Sequence, residues 1–381
     1  MKKDWTIKKL GELVTTINGL WKGKKPPFVN VAVIRNINFS KDCQLKLDDV
    51  EYLDVEEKQF KTRQLHMGDI IIEKSGGSEK QPVGRPILFN IQDDNYSFSN
   101  FTSTLRINNQ KEICSTFLQQ YLYHRWLEGD TKSLQSHTTG IHNLDFKGFL
   151  NFDIPVPPLE EQKRIVAVLD KKFAQIETLK TAAEKNLHNT KQLFQSELEK
   201  TLLTSQTNKV IDLFDIRTGK LNSNAAVPNG KYPFFTCSRE IFSIDNYAFD
   251  CDAILLAGNN ASGDFNVKHY CGKFNAYQRT YVLTVKESKT AEIKLLYYVL
   301  ENYLKKLKTM SVGANTRFLK LGMIQNLDYP NYTLAEQKRI VVHLDSLSEK
   351  VHQLEEIYTK QLVDCEELKQ SLLQKAFEGE L

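Results

Sequence analysis

The segment PPLEEQKRIVAVLD, residues 157–170, returns as YTLAEQKRIVVHLD at residues 332–345. EQKRIV is identical in the two copies, which lie 175 positions apart. Each copy opens a polar, leucine-spaced stretch of about 45 to 50 residues. A repeat of this period marks a repeated structural unit rather than a local motif. Outward from it the chain reads as two similar halves. A variable domain at 1–156 is followed by a helix at 157–206, and a second variable domain at 207–331 by a helix at 332–381.

The predicted fold class is α+β: two α/β domains separated by two long helices that pair as an antiparallel coiled coil, with a pseudo-twofold repeat. In the second helix Leu344, Leu347, Val351, Leu354, Tyr358, Gln361, Cys365, Leu368 and Leu372 alternate by three and four, a seam sustained over four heptads. The first helix offers Leu169, Lys172, Ile176, Leu179, Ala183, Asn186, Thr190 and Leu193 at matching positions. This seam looks weaker, with polar residues at Lys172, Asn186 and Thr190. A 45-residue helix is roughly 67 Å long at 1.5 Å per residue. A domain of about 150 residues has a radius of gyration near 15 Å. Helices that long outrun a single domain, so pairing with each other is the economical arrangement.

The domains repeat a plan. Leu13 precedes Gly19 by six residues, as Leu213 precedes Gly219. Trp5 and Leu10 read as core anchors, and the two glycines as turns. FVNVAVIRNI, DIIIEKSGG, PILFNI and FTSTLRI carry the β-branched and aromatic content of strands. CSTFLQQYLYHRWLEGD reads as a helix with Phe117, Tyr121 and Leu122 inward. In the second half DAILLAGNNASGDFNV, GKFNAYQRTYVLTV and IKLLYYVLENYLKKLK take those places. At the 175-residue offset Asn275 falls on Asn100 and Pro330 on Pro155. Prolines at 155, 157 and 158 stiffen the first exit.

Composition narrows the class. A hydrophobic fraction of 41% with 26% charged residues is globular rather than disordered. The net charge of +4 permits a nucleic-acid surface without demanding one. Six cysteines without C-x-x-C spacing fit reduced thiols in a cytoplasmic protein. No apolar run reaches 18 residues, and MKKDWTIKKL lacks a signal peptide's apolar core.

Chemistry-bearing patterns are missing. His137 and His142 lack the companions of a metal site, and GNNASG lacks the Lys-Ser/Thr ending of a phosphate loop. G-x-G-x-x-G is absent, and although Asp69, Glu73 and Lys74 lie near each other, the consecutive Glu73 and Lys74 do not share a strand face. The expectation is a binding component without catalytic, cofactor-binding or metal residues. Its DNA-contact candidates are Lys22, Lys24 and Lys25, then Lys74, Lys80 and Arg85 around the first glycine loop, and Asn100. In the second half they are Asn259, Asn260, Lys273, Asn275, Gln278, Arg279 and Arg317, with Lys268 and Lys320 nearby. Basic residues beside glycine suit phosphate, while Asn, Gln and Arg suit base edges.

PPLEEQKRIVAVLD, TLAEQKRIVVHLD, TTGIHNLDFKGFLNFDIPVPP, GDIIIEKSGGSEKQPVGR, GKFNAYQRTYVL and the terminal KAFEGEL together resemble the specificity subunit of type I restriction–modification systems. The likeness covers nearly the whole chain. It implies two target-recognition domains, each binding one half of a split, asymmetric DNA sequence, and paired helices as the spacer. It further implies two methyltransferase subunits using S-adenosylmethionine and two motor/nuclease subunits using ATP and Mg2+. In that family the specificity subunit has no active site. The alternatives are a modification-only or orphan DNA-binding adaptor, a coiled-coil scaffold without nucleic-acid function, or a nuclease in its own right. Co-purification with a motor subunit, salt-sensitive duplex binding and magnesium-dependent cutting by the lone chain separate them.

Overall fold

The computed structural model describes residues 5–21, 23, 25–79, 81–138, 141–287 and 289–381. Four long helices stand out among them: α1 (Ser115–Leu127), α2 (Leu159–Leu202), α3 (Ile293–Met310) and α4 (Leu334–Glu378). The chain packs into two compact units, Met1–Ala182 with Gln361–Leu381, and Ala183–Lys360. The packing units therefore do not follow the linear segments, because each includes a piece of both α2 and α4.

In the first unit a four-stranded antiparallel sheet runs in the order Val14–Asn18, Thr102–Ile107, Ile70–Glu73, Pro86–Leu88. A second sheet sets Phe28–Ile34 between the antiparallel Glu51–Glu56 and the parallel Tyr96–Phe98. The hairpin of Gln135–Thr138 and Ile141–Leu144 adds Ser75–Gly77 at its edge. Ile70, Ile71 and Ile72 are all fully buried, as β-branched residues of a central strand covered on both faces. They share one core with Trp5, Leu10, Phe117 and Phe149, and with Ile165, Leu169, Leu373, Ala376 and Phe377 from α2 and α4. Phe377 meets the rings of Phe117 and Tyr121 edge-on at 5.5 and 5.0 Å, docking the end of α4 against α1.

The second unit has one six-stranded sheet where the first has two. Its order is Phe214–Thr218, Thr280–Val285, Phe249–Ala257, Val267–Ala276, Tyr232–Phe235, Phe242–Ile244. The ten-residue strand Val267–Ala276 pairs antiparallel with Phe249–Ala257 and parallel with Tyr232–Phe235. In the first unit those two pairings fall to separate strands, Pro86–Leu88 and Tyr96–Phe98, split by a turn in which the Asp93 carboxylate accepts from Asn95 N at 2.9 Å. An extra turn-forming segment thus divides one sheet into two.

The helix attachments are the same in both units. Strand Thr6–Lys9 pairs with Asp153–Val156, and Thr207–Lys209 with Asp328–Pro330. Leu10 N donates to Phe152 O at 2.9 Å, and Val210 N to Leu327 O at 3.0 Å. α4 opens with a capping box, Thr333 and Glu336 bonding each other through side chain and backbone.

Within each unit α2 and α4 run antiparallel. In the first, the Arg164 guanidinium reaches Leu381 O at 2.6 Å, and Lys180 Nζ lies 2.6 Å from Glu366 Oε1. In the second, Lys191 faces Glu355 at 4.0 Å and His343 faces Glu197 at 3.4 Å. The predicted pairing is present, but half of the predicted seam is displaced by one residue. On α4 the covered positions are Leu344, Ser348, Val351, Glu355, Tyr358, Leu362, Cys365, Lys369 and Leu372, with Leu347 at their margin. Leu354 and Leu368 are exposed, as is Gln361. On α2 they are Leu169, Phe173, Ile176, Lys180, Ala183, Leu187, Thr190 and Phe194. Lys172, Leu179, Asn186 and Leu193 are exposed. The polar interruption of the first seam is smaller than expected: Phe173 and Leu187 take the places assigned to Lys172 and Asn186, while Thr190 stays in the seam as expected and Lys180 replaces Leu179.

Candidate nucleic-acid interface

Each unit carries one turn of the same construction. In the first, Ser99 N donates to Ile34 O at 2.9 Å and Thr102 N to Ser99 O at 3.0 Å. In the second, Tyr277 N donates to Phe235 O at 2.9 Å and Thr280 N to Tyr277 O at 2.8 Å. Leu20 bridges to Ser99 and Leu221 to Tyr277, so an early segment of each unit presses on its turn. That pressure explains the paired glycines. A Cβ at Gly19 would lie 1.9 Å from Ser99 O, and one at Gly219 1.8 Å from Ala276 O. Both mark close backbone approach rather than the expected turns out of a helix or strand.

The matched turns correct the alignment of Asn275 with Asn100. Asn100 is the second residue of its turn, and its counterpart is Gln278. Asn275 is buried in the preceding strand, donating from Nδ2 to Asn246 Oδ1 at 2.9 Å and accepting Ala276 N at 2.9 Å. Its amide is committed to the fold. At the third turn position stand Phe101 and Arg279, both exposed.

Around Ser99–Phe101 lies an open concavity of about 450 Å3 with Leu20, Val33, Leu53 and Val55 as its apolar wall. Phe101 and Ile37 project at its rim, 46% and 60% exposed. Arg35 Nε, Asn36 Oδ1 and Ser99 Oγ, from three residues of this lining, are buried without a hydrogen-bond partner. The adjoining glycine loop holds Gly76 at φ +100°, fastened by Asn36 Nδ2 to Ser75 O at 2.6 Å. Lys74 bends back to Asn18 Oδ1 at 3.1 Å, and partial burial pulls its ammonium pKa below the usual lysine value. Lys25 is exposed. Lys22, Lys24 and Lys80 lie outside the described residues.

Arg85 leaves the candidate set. Its guanidinium is buried and grips Glu73 with Nε–Oε2 2.7 Å and Nη2–Oε1 3.0 Å, while Nη1 donates to Phe39 O at 3.0 Å. Such a pair is a core element, with no donor left for phosphate.

In the second unit the turn borders a concavity of about 620 Å3 lined by Thr218, Gln278, Arg279, Phe318 and Lys320. The Arg279 guanidinium lies over the Phe318 ring at 5.7 Å and has no carboxylate at ion-pair distance among the described residues. Gln278 is exposed and donates to Asn222 Oδ1 at 2.8 Å. Asn259 and Asn260 pair with Phe318 and Arg317 across a short ladder. Asn260 Oδ1 accepts from Ser262 N at 2.9 Å and Asp264 N at 3.1 Å, which makes it a builder of the loop. Arg317 packs over Gly263, held at φ +73°, and reaches Ser311 Oγ at 3.4 Å. Lys273 is exposed with its ammonium 4.7 Å from the Tyr247 ring centroid. Lys268 is tied to Ser238 O at 2.6 Å, and burial lowers its pKa.

The repeated EQKRIV segment divides its residues by role. Gln162 is fully buried: Oε1 accepts Cys114 N at 2.8 Å, and Nε2 donates to Glu112 O at 2.9 Å and Pro157 O at 2.8 Å. Gln337 repeats this, accepting Glu292 N at 2.9 Å and Tyr329 Oη–H at 2.8 Å and donating to Tyr332 O at 2.8 Å. Lys163, Arg164, Lys338 and Arg339 are exposed in both copies. No group of three or more His, Cys, Asp or Glu able to hold a metal occurs among the described residues. No described helix is long and apolar enough to cross a membrane.

The model of the type I restriction modification DNA specificity domain matches residues 2–187 and again residues 204–362. The chain belongs to this family. Its relatives include the type I restriction enzyme EcoDI specificity subunit of Escherichia coli, 36% identical over 176 residues, which are 46% of this chain and 38% of that protein. The MjaVIII specificity subunit of Methanocaldococcus jannaschii is 22% identical across 100% of this chain and 93% of its own length. Among solved structures, a chain from work on assembly and conformational transition of the type I R-M system matches with a TM-score of 0.81 at 19% identity, covering 100% and 99% of the two chains. The HsdS subunit of Thermoanaerobacter tengcongensis matches with a TM-score of 0.60 at 19% identity, covering 100% and 98%. These two likenesses carry the fold. For a specificity-family chain the doubled domain match is also the doubled frame described above, one turn and one buried glutamine per copy.

Proposed function

We propose that this chain is the sequence-reading subunit of a type I restriction–modification complex. Each domain engages one half of a bipartite, asymmetric duplex target, and the paired helices serve as the shared spacer. Exposed Lys25, Lys273 and Lys320 supply salt-dependent phosphate contacts. The two turns supply base discrimination of about 1–3 kcal/mol per good bidentate pair. Linking the two domains raises the effective concentration of the second contact once the first has formed. The chain itself is non-catalytic in this reading. Two methyltransferase subunits using S-adenosylmethionine place an N6-methyl group on adenine, and two motor/restriction subunits using ATP and Mg2+ translocate and cut unmodified DNA in the cytoplasm. In this reading the exposed Lys-Arg pairs of the repeat form part of the surface that receives the methyltransferase subunits.

The observation that carries this reading is the repetition of one backbone frame with different exposed side chains. Ser99–Phe101 and Tyr277–Arg279 share two backbone hydrogen bonds and the bridge from Leu20 or Leu221, yet one presents Asn100 and Phe101 and the other Gln278 and Arg279. A reader of two unlike half-sites needs that combination. Genome-wide adenine-methylation mapping with and without the gene tests it. The expected result is one bipartite motif with unlike halves that vanishes on deletion. An unchanged methylation pattern, or a palindromic motif, overturns it.

A further inference from the structure

We propose that Phe101 and Arg279, the third residues of the two equivalent turns, set the base preference of their half-sites, Phe101 for an A·T pair and Arg279 for a G·C pair. This rests on the DNA-reading function proposed above and gives it a base identity at one position per half-site.

Three observations lead there. The first is equivalence of backbone. The turns share their hydrogen bonds, the bridge from Leu20 or Leu221, and a glycine whose Cβ would collide with the strand beneath. With these backbone contacts shared, the side chains at the tips are what distinguish one turn from the other.

The second is the state of Arg279. Arg85 is consumed by Glu73, Arg106 by Asp69 and Arg239 by Asp264. Arg279 instead has its guanidinium carbon over the Phe318 ring, 5.7 Å from the centroid, exposed and without a carboxylate partner among the described residues. The ring contact restrains the guanidinium while leaving its N–H groups available. A pre-oriented fork of that kind matches the O6 and N7 acceptors of guanine, where a lysine would supply only a point charge.

The third is the character of the other turn. Phe101 stands exposed at the rim of a concavity whose apolar wall is Leu20, Val33, Leu53 and Val55. An exposed ring backed by aliphatic groups has no hydrogen bond to offer a base edge, but it buries the C5-methyl of thymine in apolar contact. Its neighbour Asn100 carries the amide that pairs with N6 and N7 of adenine. Both residues of the first turn therefore suit the same base pair. Nearby, Arg35 Nε, Asn36 Oδ1 and Ser99 Oγ are buried without a hydrogen-bond partner in the chain.

The test uses the whole complex with its methyltransferase subunits. Wild type and the variants Arg279→Ala, Arg279→Lys, Phe101→Ala and Phe101→Arg are selected on duplex libraries randomised in each half-site, and their methylated motifs are mapped in cells. Arg279→Ala should cut discrimination for G·C at one position by about 10- to 100-fold and leave the other half-site unchanged. Arg279→Lys should fail to restore it. Phe101→Ala should relax one A·T position in the opposite half-site, and Phe101→Arg should convert that position towards G·C. Full specificity in Arg279→Lys makes the residue a phosphate contact and overturns its assignment. Unchanged half-sites in Arg279→Ala or in Phe101→Arg overturn the proposal for that turn. If the wild-type complex itself selects no bipartite sequence, the function proposed above fails instead.

Discussion

Replacing Gln337 by leucine should loosen the second unit where α4 begins, and the structure sets the size of the effect. The side chain is 4% exposed and makes three hydrogen bonds, to Glu292 N, the Tyr329 hydroxyl and Tyr332 O. Leucine is nearly isosteric, so packing is retained and the loss is polar. The Tyr329 hydroxyl keeps an alternative acceptor in Glu292 O at 3.3 Å. The Glu292 N–H and the Tyr332 carbonyl are then left without the amide, each at a cost of about 1–3 kcal/mol. Allowing roughly 1 kcal/mol back from added apolar burial, the net destabilisation is about 1–5 kcal/mol. Gln162→Leu strands Cys114 N, Glu112 O and Pro157 O in the same way and should cost at least as much in the first unit. The exposed neighbour Lys338→Ala is the control and should stay within about 0.5 kcal/mol. Hydrogen exchange reads the site directly: the Glu292 amide should lose protection in Gln337→Leu, and the Cys114 amide in Gln162→Leu. Urea transitions of Gln337→Leu and Lys338→Ala with the same midpoint would refute the reasoning, because the glutamine would then be no more structural than the lysine beside it.

Arg85→Ala should destabilise the first unit by about 3–5 kcal/mol by stranding the buried Glu73, whereas Glu73→Leu with Arg85→Met should recover most of it; urea denaturation decides, and a weaker salt dependence of DNA binding without loss of stability would return Arg85 to the phosphate contacts. Phe173→Ala and Leu187→Ala should each cost about 1–3 kcal/mol, while Leu179→Ala and Leu193→Ala stay within about 0.5. Thermal melting that ranks the four the other way would restore the displaced seam. Burial raises the Glu301 carboxyl from its ordinary value to about 7, against a smaller opposing pull from Arg239. The folded chain therefore holds this proton where the unfolded chain has lost it, and stability falls as pH rises from about 4.5 through 7. Glu301→Gln should melt higher than wild type at pH 8 and lose that advantage by pH 4.5; a difference independent of pH would contradict the assignment.

The doubled architecture was legible because a repeat survives any error in local assignment. EQKRIV locates both helix starts, and the 175-residue offset places Phe146–Leu150 on Leu321–Gln325 and Asp153–Val156 on Asp328–Pro330. The seam was half legible. Leu344, Val351, Tyr358, Cys365 and Leu372 are covered as expected and Leu347 is half-covered, but Ser348, Glu355, Leu362 and Lys369 complete the seam while Leu354, Gln361 and Leu368 are exposed. One residue turns a helix by 100°, and a leucine count favours whichever side of the seam holds more leucines. Charged residues at the true positions conceal themselves from such a count because their stems pack while their heads pair. Lys369 lies 5.4 Å from the Phe173 ring, and Lys180 bonds Glu366 at 2.6 Å.

The candidate site was legible only in its basic and amide side chains, and that bias explains what was missed. Phe101 carries no donor or acceptor, so a search for phosphate and base-edge chemistry passes over it. Its importance appears only once the backbone matches Ser99 to Tyr277, across an offset that differs from the helix repeat by three residues. Arg85 errs in the opposite direction, since sequence shows its charge but not Glu73 twelve residues away on the neighbouring strand. Glycine was the better guide, for reasons sequence alone does not supply. Gly19 and Gly219 matter through the carbonyls 1.9 and 1.8 Å from their absent Cβ atoms. The backbone approaches too closely there for any side chain, and Phe101 and Arg279 at the tips are exposed, so an exchange at the tip alters what is presented without entering the support. Specificity can then diverge between the two halves of one chain while the buried glutamines and glycine clamps remain the same.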